Sequence, residues 1–391
     1  MLLKMKLVLL LLFMLSSVSL REMAHGGEED DDLELERQVN LMHRPPVKTF
    51  VTEEGDTIDC VKINKQPALD HPLLKNHRVQ AKPNLYYARF GRTSPSAKPQ
   101  YRSRKPCPVG TVPIPRVTKE VLVRARSLPK MPSVVATGPD FPPSNQHVVS
   151  IRDNMVKNIK YGGGGGTTLY NLTVARDQCS FHNIWIETGP SNHISMIIAG
   201  WSVCPRLSGD ALPRLFTYWT GDGFRNGCYN VLCPGFVQVH RTITSNFPLQ
   251  PASVYGGQQS ELIMYIQQDM YTGNWWLNVF YPPIAVGYWP KELFLNLRNG
   301  SLHVAWGGIG LAGSNGVCPP MGSGHKPDGD YTHAACFRGL HWTSSGGKFY
   351  TPMKEAEWVD RSNVYDLKND HYQEKTGYTI TYGGPGGHCS G

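Results

Sequence analysis

Ile194-Ser195-Met196-Ile197-Ile198-Ala199-Gly200-Trp201-Ser202-Val203 contains no charged residue and is dense in β-branched and other apolar side chains. Such a run reads as a β-strand buried on both faces. Around it, from Asn145 onward, apolar segments alternate with turn residues at intervals of roughly 8 to 15 residues, the spacing of an antiparallel sandwich. The pattern predicts strands over Val148 to Ile151, Thr167 to Leu172, Ser180 to Glu187, His193 to Val203, Leu215 to Thr220, Phe236 to His240, Leu262 to Gln267, Trp275 to Tyr281 and Leu302 to Trp306. Helix signals are nearly absent, and 40 Gly, 30 Pro, 9 Trp and 18 Tyr in 391 residues fit an all-β chain with many turns. Five consecutive glycines, Gly162 to Gly166, lack the following Lys-Ser/Thr of a phosphate loop and read as a flexible hairpin tip.

The N-terminus has the form of a secretory signal peptide. Lys4 and Lys6 precede an apolar run from Leu7 to Leu15 and the small-residue triplet Ser17-Val18-Ser19. No later window approaches the ~20 apolar residues of a spanning helix, so no membrane contact is expected once residues 1–20 are removed. Two sequons, Asn171-Leu172-Thr173 and Asn299-Gly300-Ser301, fit the secretory route. Nine cysteines in a secreted chain imply disulfides and at least one unpaired thiol. Cys228 and Cys233 can clip a tight loop, and Cys60 with Cys107 is a second plausible bridge.

The chain carries a formal charge of +8; its first 37 residues hold eight acids and four bases, which leaves +12 on the remainder. Nucleic acid is the first partner such a charge brings to mind, but the bases are scattered and a secreted chain seldom meets it. An acidic extracellular matrix is preferred. The acidic segment over 21–49, with Glu28-Glu29-Asp30-Asp31-Asp32, reads as a solvated tail. Val51 to Val61 reads as a hairpin turning at Gly55. Ala81 to Pro143 is rich in Pro, Ser, Lys and Arg and reads as an exposed connection, with residues 111–143 a basic linker open to proteolysis near Arg126 to Pro143.

Ten strings, in order, then fix a resemblance. They are Lys65 to His77, Ala199-Gly200-Trp201, Pro213 to Thr220, Gly227-Cys228-Tyr229-Asn230, Cys233 to Gln238, Tyr255-Gly256-Gly257-Gln258, Gly273 to Leu277, Val286 to Pro290, Met321 to His325 and Tyr382 to Gly386. Over almost the whole mature chain the sequence resembles the plant neprosin-type family. The resemblance implies an activation-peptide domain over 50–110 and, over 144–391, a β-sandwich that in active members is a glutamic endopeptidase cutting after proline. One glutamate acts as base toward water and the other, protonated, polarises the scissile amide. The family's first glutamate stands immediately before Ala-Gly-Trp and its second immediately after Trp-Gly-Gly.

This sequence has Ile198 and Ile309 at those two positions. Isoleucine neither accepts nor donates a proton, and each acid–base group typically contributes ~10²- to 10⁴-fold. The expectation is therefore a secreted non-catalytic member that binds Pro-rich peptides, glycans or cell-wall polymer in a cleft bordered by Trp201, Trp219, Asp222 and Trp306. The alternative is an active endopeptidase using other carboxylates among Glu187, Asp210, Asp222, Glu261 and Asp269. His182, His193, His240, His303 and His325 lack metal-ligand spacing, so no metal or other cofactor is expected. Cys60–Cys107 and Cys228–Cys233 match family bridges, whereas Val364 stands in the region of the usual partner of Cys389, leaving Cys179, Cys204, Cys318 and Cys336 without derivable pairing.

Overall fold

A computed structural model describes residues 31–85, 104–134 and 145–389. The expected signal peptide lies outside these residues, as does 135–143 of the expected linker. The strands in chain order are β1 (Lys48–Val51), β2 (Thr57–Lys62), β3 (Thr111–Pro115), β4 (Gln146–Asp153), β5 (Gly162–Thr168), β6 (Cys179–Thr188), β7 (Ser195–Val203), β8 (Arg214–Thr220), β9 (Cys228–Tyr229) and β10 (Val237–Gln238). They continue as β11 (Glu261–Gln268), β12 (Trp275–Val279), β13 (Ile284–Trp289), β14 (His303–Leu311), β15 (Val317–Cys318), β16 (Ala335–Thr343), β17 (Phe349–Tyr350), β18 (Glu355–Val359), β19 (Asp366–Gln373), β20 (Gly377–Gly383) and β21 (Gly387–His388).

Two large antiparallel sheets form the body. One has seven strands in the order β18-β4-β14-β6-β7-β8-β9; the other has nine, running β10-β13-β12-β11-β5-β16-β20-β19 with β17 on β16. Their facing sides share one apolar cluster, with Ile184, Ile197, Trp201, Trp219 and Trp306 from the first sheet and Met264, Ile266, Trp275, Trp289 and Phe337 from the second. Alternation along each strand sends every second side chain into this interior. The chain is thus the mainly β, antiparallel sandwich expected.

The five glycines are not a hairpin tip. They make up most of β5, a central strand between β11 and β16. Crowding explains Gly162 to Gly164: a Cβ on Gly162 would meet Gln267 Cγ at 2.7 Å, one on Gly163 Val304 Cγ1 at 2.6 Å, and one on Gly164 His341 Cε1 at 2.6 Å. Trp306 donates its indole N–H across the interior to the Gly164 carbonyl at 3.1 Å. Removing side chains from one strand lets bulky indoles from the facing sheet come close.

Two expectations for the N-terminal third change. Within the acidic segment, residues 31–42 are helical (α1), because Leu35, Val39 and Met42 recur on one face and pack against Val117 and Leu122. The stretch read as a linker contains β3, which completes a three-stranded sheet β1-β2-β3, and a helix α2 (Lys119–Arg126) capped by the Thr118 hydroxyl. The hairpin at Gly55 is present, with φ of +88° at that glycine.

This N-terminal unit is fastened to the sandwich by buried polar contacts. Gln66 and Gln238 exchange two hydrogen bonds, Nε2 to carbonyl at 3.0 Å and N–H to Oε1 at 2.7 Å. Gln80 donates to Asp269 at 2.7 Å, and the Tyr288 hydroxyl meets His77 Nε2 at 2.8 Å. Fully buried Arg214 bonds Asp56 at 2.7 Å.

Disulfides join Cys60–Cys107 and Cys228–Cys233, the two expected pairs, and also Cys179–Cys204 and Cys318–Cys389. Cys389 therefore does have a partner, reached from β15 because β21 pairs with that strand. Cys336 is the free, buried cysteine, and burial pushes its thiol pKa far up.

Candidate functional site

The outer face of the seven-stranded sheet carries both isoleucines. Ile198 on β7 lies opposite Trp185 on β6 and Tyr218 on β8. Ile309 on β14 lies opposite Phe181 on β6 and Val148 on β4. Both side chains are fully buried and belong to one cluster, separate from the sandwich interior. A face that would otherwise meet water is buried because Leu128, Met131 and Val134 close over it.

Residues 128–134 cross this face as a strap, and the sheet grips its main chain. Tyr229 donates its hydroxyl to the Pro129 carbonyl at 2.7 Å, and Gln146 Nε2 donates to Lys130 O at 3.0 Å. The Tyr218 hydroxyl bonds the backbone of Met131, and Trp185 Nε1 donates to Pro132 O at 3.2 Å. At the end of the strap, Glu187 accepts from Val134 N at 3.0 Å while the Arg152 guanidinium donates to Val134 O. Burial drives the Tyr218 and Tyr229 pKa values well above the ordinary phenol, so both hydroxyls stay protonated.

Between the two isoleucines runs a row of small residues. Asn183 on β6 stands opposite Gly307 on one side and Gly200 on the other. Strand alternation puts Asn183 on the same face as Phe181 and Trp185. Both glycines are compulsory: a Cβ on Gly200 would strike the His182 carbonyl, and one on Gly307, where φ is +153°, would strike the Val149 carbonyl. Asn183 is fully buried, and neither its Oδ1 nor its Nδ2 has a hydrogen-bond partner. An unpaired buried amide costs about 1–3 kcal/mol.

The expected cleft aromatics lie elsewhere. Trp201, Trp219 and Trp306 are fully buried between the two sheets. Trp201 stacks on His182 at 3.9 Å and 12°, and Trp219 meets Phe294 edge-on at 6.0 Å. None of the three is available to a ligand. Asp222 sits in the turn after β8, where its Oδ1 is 2.7 Å from His193 Nδ1 and 3.3 Å from Arg225. The aromatics that do face the site are Trp185, Tyr218 and Tyr229, which sequence reading missed although its signal was present. Trp201 follows Ile198 by three residues and Trp306 precedes Ile309 by three, and in a strand an odd offset means opposite faces. Even offsets from Phe181, which lies opposite Ile309, lead to Asn183, Trp185 and Glu187.

Among the described residues, His147, Cys318 and Cys389 bring three ligand-type atoms within 4.8 Å of one another. The two sulfurs are joined in a disulfide and cannot serve as thiolates. Both sequon asparagines, Asn171 and Asn299, are exposed.

Crystal structures of scytalido-glutamic peptidase with a peptide-based transition-state analogue and of SCP-B, a member of the eqolisin family of peptidases in complex with the tripeptide Ala-Ile-His, are distantly similar. The first aligns at a TM-score of 0.36 and 11% identity over 61% of this chain and 98% of its own, the second at 0.34 and 11% over the same shares. The neprosin activation peptide family matches residues 49–152, and the neprosin family matches residues 176–385, more than half of the chain. The chain therefore belongs to the neprosin family, with an activation-peptide region preceding the neprosin domain.

Proposed function

We propose that this chain is a secreted, non-catalytic member of its family that binds extended, proline-rich peptide segments, such as those of cell-wall polymers, on the outer face of the seven-stranded sheet. The observation that carries the proposal is the pair Ile198 and Ile309, both fully buried in the apolar cluster on that face. Neither can move a proton, and a glutamate pair is the family's means of activating water. What remains is a surface that holds a proline-containing chain by its backbone, as it holds its own residues 128–134. Four disulfides favour an oxidising compartment, and among the described residues no helix is long and apolar enough to cross a membrane. Exposed Asn171 and Asn299 are the proposed glycosylation sites.

The alternative, an endopeptidase working with other carboxylates, rests on Glu187, which is fully buried and reaches the strap at Val134. Incubating the purified protein with proline-rich peptides across pH 2 to 7 separates the two readings. Intact peptide recovered by mass spectrometry is the expected result. Sustained cleavage, abolished by Glu187→Gln or Asp222→Asn, would overturn the non-catalytic reading.

A further inference from the structure

We infer that the strap is a template of the ligand, so that the site selects extended peptides of the pattern Pro-x-apolar-Pro-small-apolar, read from Pro129 to Val134. The inference rests on the peptide-binding reading above and adds the motif. Six side chains, Gln146, Arg152, Trp185, Glu187, Tyr218 and Tyr229, meet the strap, and every one of these bonds goes to its main chain. Main-chain contacts fix an extended conformation and a register, leaving side-chain shape to supply selectivity.

The strap's own residues show what the shape admits. Met131, Pro132, Ser133 and Val134 are buried, while Lys130 points outward with its ammonium 5.7 Å from the Phe224 ring. Position 130 is therefore permissive, and position 131 takes an unbranched apolar side chain into the cluster with Ile198 and Ile309. At 129 and 132 the sheet offers donors to the carbonyls, Tyr229 and Trp185. Proline there has no N–H to leave unpaired against an apolar wall and is already close to the extended geometry. At 131 and 134, where the residues are not proline, the main chain does find Tyr218 and Glu187. Prolines three apart thus match the alternation of partners that the face provides.

The strap also fits imperfectly. It leaves both polar atoms of buried Asn183 without partners in the row between the two isoleucines. A ligand that brings a donor or acceptor to that amide gains an interaction the strap does not make, which favours exchange.

The test uses the full-length chain with the strap weakened by Met131→Asp or, in a second variant, Val134→Asp, each shown by circular dichroism and thermal melting to be folded. The probe is a synthetic peptide of the sequence of residues 127–134, compared by calorimetry with a peptide of the same composition whose prolines are each moved one place. The strap peptide should bind either variant at least tenfold more tightly than the shifted peptide. It should bind the unaltered chain at least tenfold more weakly, because the strap competes. Equal affinity for the two peptides would overturn the motif and leave peptide binding standing. Absence of binding to both folded variants would overturn the peptide-binding reading together with the motif, and binding to the unaltered chain as tight as to the variants would place the peptide away from the strap and overturn the inference.

Discussion

Asn183 is the residue whose chemistry is least explained by folding alone. Its amide is buried with no partner, between two glycines that the sheet cannot do without. Replacing it by leucine, which has the same branching without an unpaired polar group, is expected to stabilise the protein by about 1–2 kcal/mol. Thermal or denaturant unfolding measures this, and a destabilised Asn183→Leu protein would mean that the amide is satisfied by water. The opposite sign is expected at the isoleucines. Ile198→Glu with Ile309→Glu gives up ~1.5–3 kcal/mol of apolar burial per site and places two carboxyls in an apolar cluster, which raises their pKa values. The double variant should melt at a lower temperature. Gain of cutting after proline would support the non-catalytic reading proposed for the two isoleucines; continued inertness would mean that other parts of the site also differ from an active one.

At the scale of elements, the strand carrying Ile198 was legible because composition and length leave few alternatives for ten uncharged, β-rich residues. Its burial on both faces is correct, but one of the two covers is the strap, a segment more than sixty residues away that reads as an exposed linker. The prolines that argue for disorder there sit against Trp185 and Tyr229. The glycine strand failed for a related reason. Glycine's weak local preference gives no strand signal, and only the tertiary neighbours, Gln267 at Gly162, Val304 at Gly163 and His341 at Gly164, crowd out side chains there. Gly163→Ala is therefore expected to cost about 1–3 kcal/mol through overpacking, a large effect for one methyl group. Chemical denaturation of that variant checks it, with Gly346→Ala as control because nothing lies within 4 Å of a Cβ there.

For the whole molecule, acid is expected to weaken the fold. Burial lowers the pKa of His182 to about 3 and those of His303 and His341 to about 4, for His303 with help from nearby Arg152 and Lys160. Each is neutral when folded and takes up a proton when unfolded, near pH 6.5. The unfolded state then binds more protons between those values, so stability is complete above about pH 6.5 and declines as pH falls toward 4. The melting temperature should drop steadily from pH 7 to pH 4; a flat profile would show that these rings are hydrated. The Glu261–Arg338 ion pair links β11 to β16 across the glycine strand.

The amino-acid sequence by itself determined the class of fold, the family and two of the four disulfides, because periodicity, cysteine spacing and ordered strings are local properties of a chain. Only the tertiary structure decided which face each tryptophan occupies, which cysteine Cys389 meets and what lies over Ile198 and Ile309. Those depend on strand register and on contacts between residues far apart in the chain, and a strap that reads as solvated becomes ordered only when the sheet supplies partners for its backbone.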